Sequence, residues 1–223
     1  MDNKDLAKTL GFQPKENTVN VYSKSYSLAD NYIIEIDFEN EKIDYGTIIK
    51  SESKTTQNFS QKENWVVLEC VDRLLTKGYQ PQNIILEKTW ATGHGTSGRL
   101  DILVNRNDGT AYLMIECKTW GSEFEKELKK IEKDGGQLFT YFQQDKNSEI
   151  LMLYASEIDK KDINFKSIII KIEDDYRQTG NVKDFYERWN KLPKTNGIFD
   201  NWASPYEFQS KALTKGELKI LKH

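Results

Sequence analysis

Between residues 83 and 119 the apolar positions crowd into three short runs, and the breaks between them fall at glycine-bearing segments. Runs of this length, rich in Ile, Leu and Val and bounded by turn residues, read as strands. We place them at residues 83–90, 99–104 and 111–119. The glycine-rich ATGHGTSG forms the first connection, and Asn107-Asp108-Gly109 turns the second. The third run is apolar on both faces, as a central strand is. Upstream, residues 61–77 carry a helical repeat that Gly78 stops. At about 100° per residue, Val67, Cys70, Val71 and Leu74 share one side, and Glu63 falls in their midst. Glu69 falls with Asp72, Arg73 and Thr76 on the side assigned to solvent. Downstream the pattern predicts a long helix over 122–144, a strand over 150–155 and a fifth strand over 167–172.

The flanks are read from weaker patterns. Residues 32–38 alternate, turn at Glu39-Asn40 and return over 41–45, which predicts a β-hairpin. Residues 1–20 read as a polar lead-in with little order of their own, and 50–60 as a loop. Residues 176–223 read as helical around 182–192 and irregular after that. The order is then hairpin, helix, three strands, helix, strand. Three sequential strands make a meander, and a strand reached through a helical crossover adds in parallel. We therefore expect an α/β fold, a mixed sheet flanked by helices. Residues 1–60 form an N-terminal extension, 61–175 the core, and 176–223 a C-terminal extension leading to further domains.

Composition narrows the class. The chain has 223 residues, 37% of them hydrophobic and 30% charged, which suits a globular protein and not a disordered one. No run approaches the roughly 18 apolar residues of a membrane span, and the N-terminus lacks the apolar stretch of a secretion signal. Cys70 and Cys117 lie in apolar segments, as free core thiols of a cytoplasmic protein do. Two histidines, one of them the last residue, argue against a histidine-built zinc site. A net charge of −3 argues against a surface that grips nucleic acid all over, while leaving room for a local basic face.

Against this background the segment RLDILVNRNDGTAYLMIECKTW stands out. Period two puts Glu116 and Lys118 on one face of the third strand, with Leu113, Ile115 and Cys117 on the other, and Asp101 on the neighbouring strand lies beside Glu116. Two carboxylates about 4 Å apart repel by roughly 4 kcal/mol at an effective dielectric near 20, so either one is protonated or a cation sits between them. Oxygen ligands with open water positions favour Mg²⁺ or Mn²⁺. With Lys118 to orient a water or offset charge on phosphorus, the set suits phosphodiester hydrolysis.

Asp101 followed, after a turn, by Glu116-x-Lys118 resembles the core of the PD-(D/E)XK nucleases, an α-β-β-β-α-β fold. Lys62-Glu63-Asn64-Trp65-Val66 with Gly78-Tyr79 resembles the opening of the nuclease domain in type I restriction R subunits and related restriction proteins. Gln137-Leu138-Phe139-Thr140-Tyr141 resembles their QxxxY motif. The likeness spans residues 60–157. It implies a restriction endonuclease domain acting on double-stranded DNA and leaving 5′-phosphates. The metal would be held by Asp101, Glu116, Glu63 and the backbone carbonyl of Cys117. Lys118 would assist the attacking water, and Gln137, Tyr141 and Lys130 on the same helix flank would engage DNA. Methyltransferase and specificity domains or subunits would be the partners. Leu100 stands where the family usually has proline, and no GxxxxGK[ST] loop is present, so any motor lies elsewhere. The ending LTKGELKILKH stops in what reads as a starting helix, so a longer polypeptide is expected. Two other readings share the fold: a catalytically silent DNA-binding or assembly module, and a repair or recombination nuclease. His94 reads as a solvated loop residue, Trp120 as packing, Glu69 and Glu87 as lesser candidates for the metal, and the Lys/Glu alternation over 125–133 as an ordinary solvated face.

Overall fold

A computed structural model describes residues 3–92, 95–159, 162–177 and 194–195. The helix read over 182–192 lies outside them, as does His94. Two sheets organise the chain. The first is antiparallel, in the order β1 (Gln13–Pro14), β2 (Val21–Tyr26), β3 (Tyr32–Asp37), β4 (Lys42–Asp44), preceded by helix α1 (Asn3–Thr9). The second has seven strands, named here in chain order: β5 (Lys50–Ser51), β6 (Ile84–Thr92), β7 (Gly95–Asn105), β8 (Ala111–Cys117), β9 (Ile150–Asp159), β10 (Asp162–Lys171) and β11 (Lys194–Thr195). They lie side by side in that order. β5/β6 and β8/β9 are parallel and the other pairs antiparallel. Helix α2 (Glu63–Thr76) comes before β6, and α3 (Ser122–Asp134) with α4 (Gly136–Gln144) carries the chain from β8 across to β9. A short α5 (Asp174–Arg177) follows β10. The expected α/β class and the parallel addition of β9 to β8 are both observed. The hairpin read over 32–45 is β3–β4, with Ile36 opposite Ile43.

β8 is the middle of the second sheet, and all seven of its residues are buried. Its alternation feeds two cores. Leu113, Ile115 and Cys117 join Val67, Cys70, Val71 and Leu74 of α2 on one face. Met114 joins Phe124, Ile131, Leu138 and Phe142 of α3 and α4 on the other. Burying each such aliphatic or aromatic side chain contributes about 1.5–3 kcal/mol. Among the described residues no helix is long and apolar enough to cross a membrane, and Cys70 and Cys117 are buried free thiols.

Several expectations need correction. Residues 1–20 are not a loose lead-in: Ala7, Leu10 and Phe12 are buried in the same core as α2, and β1 pairs with β2. Three well-spaced apolar residues are enough to seat a segment that is otherwise polar. The loop expected over 50–60 holds the two residues of β5, parallel to β6, and a single 3-10 turn at Thr55–Gln57. Much of ATGHGTSG is strand, with Trp90 opposite Ser97 and Thr92 opposite Gly95. β9 and β10 extend to form a ten-pair hairpin, longer than either run suggested.

Glu69 does not face water. It is 3% exposed, and Tyr154 donates its hydroxyl to it at 2.5 Å while Arg73 pairs with it at 2.8 Å. Asp72, beside it, accepts from Lys24 at 2.6 Å and from the Tyr26 hydroxyl at 2.7 Å. The polar side of α2 is therefore roofed by β2 and by the β9–β10 hairpin, a second layer that helical phase alone does not reveal.

The long helix expected over 122–144 is two helices. Gly135 and Gly136 take left-handed φ values of +87° and +56°, closing α3 and opening α4. Gly135 thus ends a helix. Glu127, read as part of a solvated face, is buried under this junction. It accepts the Gln137 N–H at 3.0 Å, a cap at the positive end of α4. A Cβ on residue 136 would stand 2.7 Å from that carboxylate oxygen. Gly136→Ala is accordingly expected to destabilise the fold by about 1–2 kcal/mol from the backbone strain alone. That corresponds to a fall of about 2–8 °C in melting temperature. A thermal melt followed by circular dichroism checks it; an unchanged melting temperature rejects the demand for glycine at this junction.

Candidate active site

The site is built by register. Ile102 sits opposite Ile115, which brings Asp101 level with Glu116. On the other edge of β7, Leu86 is opposite Ile102 and Lys88 opposite Leu100, which brings Glu87 level with Asp101. Three acids on adjacent strands thus form a row, an arrangement that repels unless something compensates it.

Each acid has a distinct setting. Asp101, partly exposed, accepts the main-chain N–H of Cys117 at 2.7 Å. An extended residue turns its N–H and C=O to the same edge, so the Cys117 carbonyl also faces the Asp101 side. Glu116 is 2% exposed. One of its oxygens accepts from Lys118 Nζ at 2.5 Å, and the other, Oε2, is buried with no hydrogen-bond partner. Lys118 Nζ also lies 3.7 Å from a Glu63 oxygen, so the amine stands between Glu63 and Glu116. Glu87 is buried, accepts the Thr55 hydroxyl at 2.7 Å and pairs with the guanidinium of Arg99. Its backbone is left-handed, with φ +58° inside a strand.

Titration follows from these settings. Burial pushes the Asp101 carboxyl up to about 7, against the pull of Lys118 and with Glu63 adding to the rise. Burial, with Asp101 beside it, lifts Glu116 well above the carboxylate range. Glu63 is raised by burial, with Lys118 opposing. Burial disfavours the Lys118 cation, but Glu116 and Asp101 outweigh it and hold the amine protonated above its ordinary range. Among the described residues, the carboxylates of Glu63, Glu87, Asp101 and Glu116 thus meet two cations, Lys118 and Arg99. Either protons or a divalent cation closes the difference.

Asp101, Glu116 and the Cys117 carbonyl offer hard oxygen donors, and the orphaned Glu116 Oε2 is the atom that lacks a partner. That set fits Mg²⁺ or Mn²⁺, which keep several waters of their own. Among the described residues no three His, Cys, Asp or Glu side chains stand close enough to cage an ion by themselves. Glu63 is part of the reason: it meets Lys118 directly, and its path to an ion runs through water or past the amine.

The proposed DNA-engaging residues fall less evenly. Gln137 Nε2 donates to the Tyr141 hydroxyl at 3.3 Å, and that hydroxyl donates to the Arg99 carbonyl at 2.9 Å. Tyr141 is 1% exposed and stacks on Trp90 with centroids 6.0 Å apart. Gly98 lets it approach, since a Cβ there would lie 3.0 Å from the ring. Burial, then Glu116 and Asp101, raise the phenol above its ordinary range, which marks how near it lies to the acids. Tyr141 therefore ties α4 to β7 behind the site, where it has no surface to offer a duplex. Lys130 is exposed and paired with Glu127 at 2.9 Å. Trp120, expected to pack, is instead exposed, with the Lys166 amine 4.6 Å from its ring centroid.

Sequence reasoning missed Arg99 and underrated Glu87. Both are charged residues in strands, but only the cross-strand register sets them beside Asp101. No protein-family model matches the chain, and no curated protein is detectably similar to it in sequence.

Proposed function

We propose that this chain is a metal-dependent DNA endonuclease domain of a restriction-modification system, built on a PD-(D/E)XK-type core. The observation that carries the reading is the Glu116 carboxylate, buried level with Asp101, with one oxygen on Lys118 and the other unpartnered. A buried polar atom left without a partner costs about 1–3 kcal/mol, a cost that an ion bound there removes. The helix–three strands–helix–strand order around it supports the same reading.

In this reading Asp101, Glu116 and the Cys117 carbonyl hold Mg²⁺ or Mn²⁺. The ion supplies an acidified water and charge neutralisation at the phosphate. Lys118, kept protonated by its neighbours, serves as a donor and not as a base. It orients the attacking water or stabilises a non-bridging phosphate oxygen. Glu63 restrains the amine from the α2 side. Tyr141 and Gln137 fix the strand that carries Asp101 and act on DNA only through that strand. The net charge of −3 gives the chain little nonspecific hold on duplex DNA. Site recognition and methylation then come from partner domains or subunits.

The test is nicking of supercoiled plasmid with Mg²⁺ or Mn²⁺ by the wild type, Asp101→Ala and Lys118→Ala. Nicking is expected to require metal and to fall at least about a hundredfold in both variants, as removal of a transition-state donor does. Equal nicking by all three, or nicking that persists in EDTA, rejects the reading. So does inertness of the wild type in the presence of its assembled partners, which leaves a silent DNA-binding module.

A further inference from the structure

One cation at the site has no role in the chemistry above. Arg99 precedes Asp101 by two residues, an advance of about 7 Å along an extended strand. Its Nε is engaged by Glu87, and its carbonyl is fixed by the Tyr141 hydroxyl, so main chain and side chain are both held. Among the described residues its two terminal nitrogens have no protein partner, and the side chain is 44% exposed against 3% for Glu87. A guanidinium anchored by one nitrogen and open at the other two is a preformed fork for phosphate oxygens.

The alternative is that Arg99 only neutralises Glu87. Two features point past that role. Neutralising Glu87 takes only the Nε side of the guanidinium, and the rest of the side chain reaches solvent. Glu87 also sits in a left-handed conformation that costs a non-glycine residue about 1–2 kcal/mol. Strain of this kind persists where the surroundings over-determine it, and it clusters at working sites. In that conformation the Glu87 carboxylate reaches both Thr55 and Arg99.

We propose that Arg99, oriented by Glu87, grips the backbone phosphate next to the one held at Asp101 and Glu116. This rests on the nuclease reading and adds to it the residue that sets the DNA strand in register. Contacts of this kind position a duplex without reading its sequence.

The test uses the 223-residue chain and a fluorescently labelled duplex. Anisotropy is followed in Ca²⁺, which takes the same oxygen ligands as Mg²⁺, over a series of salt concentrations. Arg99→Ala is expected to weaken binding about tenfold and to reduce the slope of log affinity against log salt by about 0.9, the value for one phosphate contact. Arg99→Lys, which keeps the charge without the fork, is expected to retain the slope and recover part of the affinity. Glu87→Gln is expected to retain the slope while weakening binding, provided its melting curve shows it folded. An unchanged slope in Arg99→Ala overturns the phosphate contact, whether or not affinity falls. If metal-dependent nicking survives alongside that result, the nuclease reading stands without this residue. A wild type that binds no DNA even at the lowest salt overturns the phosphate contact, and nicking in the presence of the assembled partners decides the nuclease reading separately.

Discussion

Asp101→Asn is expected to raise the melting temperature of the metal-free protein at neutral pH while abolishing nicking. The folded protein holds the Asp101 proton up to about pH 7, whereas the unfolded chain releases it near pH 4. A carboxyl whose folded value is raised contributes stability that is fully present below the unfolded value. That stability is lost as pH climbs through the folded one. The loss runs at about 1.4 kcal/mol per pH unit for one proton, over the window from about 4 to about 7. Asparagine carries no charge at any pH and keeps an oxygen to accept the Cys117 N–H. The variant should therefore out-melt the wild type at pH 8, by up to about 8–17 °C at about 2–4 °C per kcal/mol, and the difference should close toward pH 5. Saturating Mg²⁺ should stabilise the wild type and not the variant. Melts across pH, with and without the ion, decide it. A variant that melts lower than the wild type at pH 8 contradicts the burial-driven shift.

Glu69→Ala is expected to act in the opposite direction and with comparable strength. The Glu69 carboxylate is the shared acceptor of Arg73 and the Tyr154 hydroxyl, and the Arg73 guanidinium lies 3.8 Å from the Phe165 ring centroid. Removing the acid from a buried pair leaves the remaining charge to be desolvated without it, at a cost of about 3–5 kcal/mol. That corresponds to a fall of about 6–20 °C. Glu63→Ala, at the partly exposed start of the same helix, should change stability little and nicking much. A denaturant or thermal series on the two variants separates the roles. A Glu69→Ala protein melting within about 2 °C of the wild type would show that the ion pair holds nothing together.

These two glutamates show what the sequence could and could not disclose. Glu63 was placed toward the body of the fold by phase alone, and it does meet Lys118. Glu69 was misplaced because helical phase assumes one buried side, and α2 has two. Asp101, Glu116 and Lys118 were legible because they interrupt apolar strands one turn apart, where local chain geometry already sets them together. Glu87 and Arg99 were not, because their place depends on how β6 registers against β7 and on a left-handed residue inside a strand. The Gln137–Tyr141 spacing read as one helix face is also one face in the fold. What the spacing could not show is that the tyrosine points inward and spends its hydroxyl on the Arg99 carbonyl. Gly135-Gly136 does not announce a break by pattern alone, because the cap that makes it one, Glu127, lies ten residues before Gln137.

The complete burial of β8, between two cores and two neighbouring strands, has a consequence for timing. Amides in such a strand exchange with solvent only when the whole domain opens, so Glu116 keeps its place in the strand as long as the native state itself. No partial opening can dismantle it cheaply, and none can serve to switch it off. Control over this centre has to work from outside β8, on who reaches it and when. On the proposed nuclease reading, that leaves a geometry ready at all times, and the safeguard lies in governing which DNA is delivered to it.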